Sequence, residues 1–202
     1  MILTATAPYH HGDLREALAI EALHQVRAKG AEAVSLRAVA LAVGVSASAA
    51  YHHFPDKIAL MQEVGHRGRL ELDRRTLLAS DGVRGRGRRA AVARLHACGS
   101  AYIEFAMDEP HWFRHTFGPD CAHDPTDPLT NDSGAYLSLT RCLDDLARLG
   151  ALGPPREGLD LLAWTSVHGF ASLVIDGIVP AQAREPLLAT MLGALLAPAA
   201  AR

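Results

Sequence analysis

Apolar residues recur through most of this chain at helical spacing, and strand-type alternation is scarce. Ala19, Ala22, Leu23 and Val26 fall at i, i+3, i+4 and i+7, which gives a first helix one apolar face. Gly30 closes it as a left-handed cap. Leu36, Val39, Ala40 and Val43 make the inner face of a short second helix, for which Ser35 is the N-cap. Gly44 permits the positive φ of a tight turn. Ser46 caps a third helix over about 47–53, and Pro55-Asp56 opens a fourth over about 56–79. Further helices are predicted at about 89–108, 135–149, 156–179 and 183–197. In the last of these, Leu187, Leu188, Met191, Leu192, Leu195 and Leu196 form an apolar stripe. Residues 118–134 are rich in Pro, Asp, Gly, Asn and Ser and read as a loop. The expectation is an all-α chain of about nine helices. A three-helix domain over 1–57 is linked through the fourth helix to a helical domain over 80–202. Between them lies a glycine- and arginine-rich break from Asp81 to Arg89.

Hydrophobic residues at 49% allow a sizeable core, and 21% charged residues with a net charge of -2 exclude a disordered polyelectrolyte. The three cysteines, Cys98, Cys121 and Cys142, are odd in number and widely spaced. They make no disulfide framework, which fits a reducing cytoplasm. No basic segment followed by an apolar run stands at the N-terminus, so no secretory signal is expected. Asp176 interrupts the best apolar stretch, so no membrane span is expected either.

Two short helices joined by a glycine turn suit a helix-turn-helix, whose second helix enters the major groove of DNA. The third helix offers Ser48, Tyr51, His52 and His53, whose hydroxyls and imidazoles can meet phosphates or base edges. Lys57 is placed for a phosphate, and Arg37 for a phosphate or a guanine. A trio of core helices with polar exteriors is the competing reading. Two caps, a glycine turn, the Tyr51-His52-His53-Phe54 run and Lys57 coincide here, and together they favour DNA. Charge argues the other way, because residues 1–57 hold five Arg/Lys and five Asp/Glu. Residues 65–94 hold nine of the 20 basic residues and three acidic ones. Arg84, Arg86, Arg88 and Arg89 extend a phosphate footprint or lie on a solvated connector.

Over about residues 9–65 these motifs resemble the TetR family of bacterial transcriptional repressors. The resemblance rests on the first helix ending at Gly30, on Ser35 to Ala40, on Gly44-Val45-Ser46, and on Tyr51 to Lys57. It implies an all-helical homodimer with an N-terminal DNA-binding domain and a C-terminal domain that dimerises and binds a small molecule. Carried over by position, the DNA contacts are Arg37, Ser46, Ala47, Ser48, Ala49, Tyr51, His52, His53 and Lys57. Ala50 stands where the family often has a bulky apolar residue, and Ser48 and Ala49 where it often has Gly or Thr, so looser packing of this helix is expected. Tyr9 to Arg15 is similar to the lead-in of the first helix in one branch of the family. Pro110 to Gly118 and Trp164-Thr165-Ser166-Val167-His168-Gly169 are similar to a subgroup whose C-terminal domain carries a Trp-xxx-His-Gly signature.

Tyr102, Phe105, Trp112, Phe113 and Phe117 concentrate aromatics in a chain that is only 5% aromatic. They line an apolar ligand pocket, oriented by Arg114, His115 and His168, or they fill a plain bundle core. Trp164 and His168, four residues apart, share a helix face. His168 meets the ligand there or serves as a core histidine beside Gly169. His111 and His115 at i, i+4, followed by Asp120, Cys121, His123 and Asp124, have residue types that hold zinc, or form a helix surface and a polar loop. Neither CxxC nor HExxH is present, so no metal or cofactor is assigned. No Gly-rich phosphate loop or GxSxG motif points to an enzyme. The last two helices are expected to pair with a second copy through Leu187, Leu188, Met191 and Leu195. The expected function is a cytoplasmic homodimeric repressor, released from a palindromic operator on double-stranded DNA by a small apolar ligand. A ligand-independent regulator and a helical protein-interaction module are the alternatives.

Overall fold

In a computed structural model, which describes residues 11–118, 121 and 134–197, the chain is a helical assembly. Its helices are α1 (His11–Lys29), α2 (Leu36–Val43), α3 (Ala47–His53), α4 (Lys57–Asp81), α5 (Gly87–Asp108), α6 (Pro110–Thr116), α7 (Gly134–Arg148), α8 (Leu159–Ile175) and α9 (Arg184–Leu195). Among the described residues the one departure from helix and turn pairing is an isolated bridge between Leu152 and Leu196.

Local chemistry sets the N-terminal boundaries. Ser35 Oγ accepts from Ala38 N at 3.2 Å and Ser46 Oγ from Ala49 N at 3.2 Å. Asp56 Oδ1 accepts from Ala59 N at 2.8 Å. Each cap satisfies an amide that the helix itself leaves unpaired. Gly44 takes the left-handed conformation at φ 82° between α2 and α3, as the turn requires. Gly30 differs from the expected left-handed cap, since its φ of 84° is combined with an extended ψ of 163°. α8 is shorter than predicted at both ends, with glycines of positive φ at 158 and 177 lying outside it. α6 is a helix the hydrophobic pattern left unassigned, and Pro110 opens it.

One hydrophobic cluster runs from Leu14 and Val26 through Phe54, Leu60 and Leu72 to Leu146, Phe170 and Leu195. The core therefore has no break at residue 57 or at residue 80. α4 packs on α1 and α6 as well as on α5 and α7, so it belongs to both halves. Charged groups fasten α1 and α3 to it. Arg15 donates to His53 O at 3.1 Å and to Glu63 at 3.1 Å, with its guanidinium 4.4 Å from the Phe54 ring centroid. Arg67 forks onto Glu16 at 2.8 and 2.6 Å and also holds Glu63 at 3.0 Å. The Arg67 hydrogen bond keeps the Glu16 carboxyl below the usual carboxylate range. Arg27 of α1 pairs with Glu109, just before α6, at 2.7 Å.

The stripe expected to meet a second chain is spent inside this one. Leu188 and Leu195 are fully buried, Met191 is buried and Leu187 is partly covered, because α9 lays this face on α5 and α8. An apolar stripe specifies that a face is covered, and here the cover comes from the same chain.

Candidate functional site

Two places stand out, one on α3 and one inside the C-terminal half. On α3, Ala50 is fully buried in the hydrophobic cluster. The opposite side presents Ser48, Tyr51 and His52 to solvent, with Tyr51 44% exposed. Ala47, Ala49 and His53 are half-buried at its margins, and Arg37 is exposed on α2. The Ser46 hydroxyl is engaged in capping α3. Lys57 is the first residue of α4, and its Nζ donates to Glu32 O at 3.2 Å. The surface so formed carries hydroxyl, phenol, imidazole, guanidinium and ammonium groups on two short helices and the start of a third.

The second place is a cavity walled by α4, α5, α7, α8 and α9. Leu72 and Thr76 of α4, Cys98 of α5, Tyr136 of α7, Trp164 of α8 and Met191 of α9 contribute to its lining. The cavity itself has a volume of about 40 Å³. Of the residues expected to bind a ligand, Tyr102, Phe117 and Trp164 line this cavity. His168 backs it. Its Nδ1 meets the Tyr102 hydroxyl at 2.8 Å, and its ring packs on Phe117 at 5.0 Å and Trp164 at 5.4 Å between centroids. Phe105 and Phe113 are buried behind them in an edge-to-face stack.

The remaining expected ligand residues have other work. Trp112 donates its Nε1–H to Val64 O at 3.0 Å. His115 Nε2 lies 2.8 Å from Met61 O and, facing a carbonyl, must carry the proton. Both bonds seat α6 on the backbone of α4, where Gly65 and Gly68 leave room. A Cβ at Gly68 would stand 1.9 Å from Thr116 Oγ1 and 2.9 Å from Trp112 Nε1. Arg114 does not reach the cavity, since it donates to Ile175 O at 2.9 Å and pairs with Asp176 at the end of α8. Cys121 donates its Sγ–H to His115 O at 2.9 Å, and His111 is exposed. Asp120, His123 and Asp124 lie outside the described residues. No three metal-ligating side chains come together among the described residues.

Pattern reading missed Leu72 and Thr76, because α4 looks like a connector. It missed Cys98 and Tyr136, because a cavity among five helices leaves no period in any one of them. It placed Met191 at an interface between chains.

Burial pushes the His168 imidazole below its ordinary value of 6.5. The unfolded chain then binds a proton more readily than the folded one. The stability this contributes is present above the ordinary value and lost as pH falls through it towards the folded value. Replacing His168 with glutamine is expected to flatten the decline of the thermal midpoint below pH 6.5. Thermal melts of both proteins across that range check this, and parallel declines would refute it.

Residues 21–64 match the family described as bacterial regulatory proteins, tetR family. Residues 95–195 match the tetracyclin repressor-like C-terminal domain. No curated protein matches the sequence. Among solved structures, a protein with unknown function from Rhodococcus sp. RHA1 is similar at 25% identity. The match covers 95% of this chain and all of that one, with a TM-score of 0.75. A tetR family regulatory protein from Rhodococcus RHA1 is similar at 17% identity over 90% of this chain and 96% of its own, with a TM-score of 0.64. NalD, the secondary repressor of the MexAB-OprM multidrug efflux pump in Pseudomonas aeruginosa, is similar at 16% identity over 94% and 100%, with a TM-score of 0.60. Among the described residues no helix is long and apolar enough to cross a membrane.

Proposed function

The chain belongs to the tetR family of bacterial regulatory proteins, and from that premise we propose that it is a homodimeric repressor released from a palindromic operator by a small apolar ligand. One observation carries the DNA-binding part: α3, capped at Ser46 and braced by buried Ala50, offers Ser48, Tyr51 and His52 to solvent as one polar face. Arg37, Ala47, Ala49, His53 and Lys57 complete the contact set, with Lys57 meeting a phosphate at the positive end of α4. The cavity supports an apolar ligand that Tyr102, Phe117 and Trp164 touch, with the Tyr102–His168 pair as its polar handle.

The dimer is assigned to the outward sides of α8 and α9, in place of the buried stripe. Leu162 and Leu173 of α8 are exposed, as are Ala189, Gly193 and Ala194 of α9. No Asp, Glu, Lys or Arg occurs between Asp160 and Asp176 or from Pro186 to Ala197. Uncharged faces with small residues let two helix pairs approach closely as a four-helix interface.

Selection of random duplex DNA by the purified protein tests the reading. The expected result is a palindrome whose half-sites lie about 34 Å apart, one helical turn. A folded dimer that enriches no sequence would overturn it in favour of a helical protein-interaction module, which the balanced charge of residues 1–57 would suit.

A further inference from the structure

Cys98 on α5 and Cys142 on α7 stand with their sulfurs 3.8 Å apart, in van der Waals contact. A disulfide needs about 2.05 Å, so closing the gap asks for side-chain rotation and a small approach of two helices. Both thiols are free and buried. Their positions differ in one respect: Cys98 lines the cavity and Cys142 lies behind it. Cys98 Sγ also lies 3.7 Å from Thr76 O, so the pair sits where α4, α5 and α7 meet.

We propose that Cys98 and Cys142 are a reactive dithiol in the cavity wall, closed to a disulfide by apolar organic hydroperoxides. This deepens the reading of the cavity as the ligand site and rests on it. The hydrogen bond from Cys142 holds the Cys98 thiol below the usual cysteine range, with Ser80 adding to it, while the same bond and burial push Cys142 up. Cys98 is the sulfur that faces the cavity, so it meets the oxidant first, as the thiolate left when its proton passes to solvent, while Cys142 keeps its own. Leu72, Leu95, Phe117, Trp164 and Val167 surround the approach, so an alkyl or aryl group is favoured over water or hydrogen peroxide.

The electron balance is complete with the hydroperoxide as oxidant. The Cys98 thiolate attacks the terminal peroxide oxygen and the O–O bond breaks. The departing alkoxide takes the proton of Cys142 and leaves as the alcohol. Cys98 is now a sulfenic acid and Cys142 a thiolate. Cys142 sulfur attacks Cys98 sulfur, the S–O bond breaks, and the departing hydroxide takes up the proton that Cys98 gave to solvent and leaves as water. Two thiols and one hydroperoxide give one disulfide, one alcohol and one water. The bond draws α7 onto α5 beside Thr76 of α4, narrows the cavity and lowers DNA affinity.

The test uses the full-length protein with cumene hydroperoxide and, separately, hydrogen peroxide. Peptide mass mapping without reductant should find the Cys98–Cys142 cross-link, formed about tenfold faster with cumene hydroperoxide because its aryl group is buried on the way. Cys121 should remain a thiol. Cys142→Ser should trap a dimedone-reactive sulfenic acid on Cys98, and Cys98→Ser should leave Cys142 unlabelled. Cys142→Ala serves where the serine variant fails to fold. The selected operator should be released by oxidation and bound again after dithiothreitol. No cross-link, first labelling on Cys142, or equal rates with both peroxides would overturn the proposal. A cross-link with unchanged operator affinity would overturn its regulatory half. If the reduced protein selects no DNA while the cross-link forms, the failure belongs to the repressor reading and not to the dithiol.

Discussion

Gly68→Ala is expected to lower the unfolding free energy by about 3 kcal/mol, at the upper end of what overpacking a core costs. The added methyl would stand 1.9 Å from Thr116 Oγ1 and 2.9 Å from Trp112 Nε1. Neither neighbour yields easily. Thr116 is fully buried and its hydroxyl donates to Trp112 O at 2.8 Å. Trp112 is tied by its indole N–H to Val64 O. Helix propensity pulls the other way, since alanine gains about 1 kcal/mol over glycine in a helix interior, and at 1.9 Å the clash wins. Urea titrations read the effect as a lower midpoint at unchanged slope. Thr116→Ala in the Gly68→Ala background should recover part of the loss, because it deletes the nearer atom but leaves the Thr116 Cβ position at 3.0 Å. A Gly68→Ala protein as stable as the parent would mean that α6 does not sit against α4 as described.

Tyr51→Ala is expected to weaken operator binding about tenfold to a hundredfold, with a change in unfolding free energy of about 0.5 kcal/mol or less. The split follows from its exposure: at 44% exposed, the ring contributes little to the core. Lys57→Ala should differ in kind. An ammonium facing a phosphate gives affinity on every sequence, so its loss should be nearly uniform and should reduce the salt slope by roughly one. Titrations of the selected operator and of scrambled duplex at several salt concentrations separate the two. Unchanged affinity for Tyr51→Ala, or altered sequence preference for Lys57→Ala, would remove the role given to that residue.

What could be read from the chain was what is decided locally. Ser35, Gly44, Ser46 and Asp56 act on amides within four residues of themselves, so their places in the string announce the turn and the helix starts. α6 escaped because seven residues are too few to establish a period. Gly65 and Gly68 looked like weak points in a connecting helix, and only the approach of Cys121, Trp112 and Thr116 explains them. The stripe on α9 was visible, but hydrophobic spacing carries no information about whether the covering surface comes from the same molecule. For the aromatics the division was finer. Trp112 and Phe117 lie in one short segment, yet one donates to the backbone of α4 and the other lines the cavity. That depends on azimuth about α6, which composition does not encode.

α4 is one unbroken helix of 25 residues. At a rise of 1.5 Å per residue it is a rod about 37 Å long. Such a rod is a converter of angle into distance. Pivoting it by about 5° near its cavity end would sweep its DNA end through about 3 Å, close to the 3.4 Å step between bases. In a symmetric pair the two sweeps add. A displacement small enough to be absorbed by side-chain rotamers around Thr76 would then arrive at the two recognition helices as a mismatch of whole base steps.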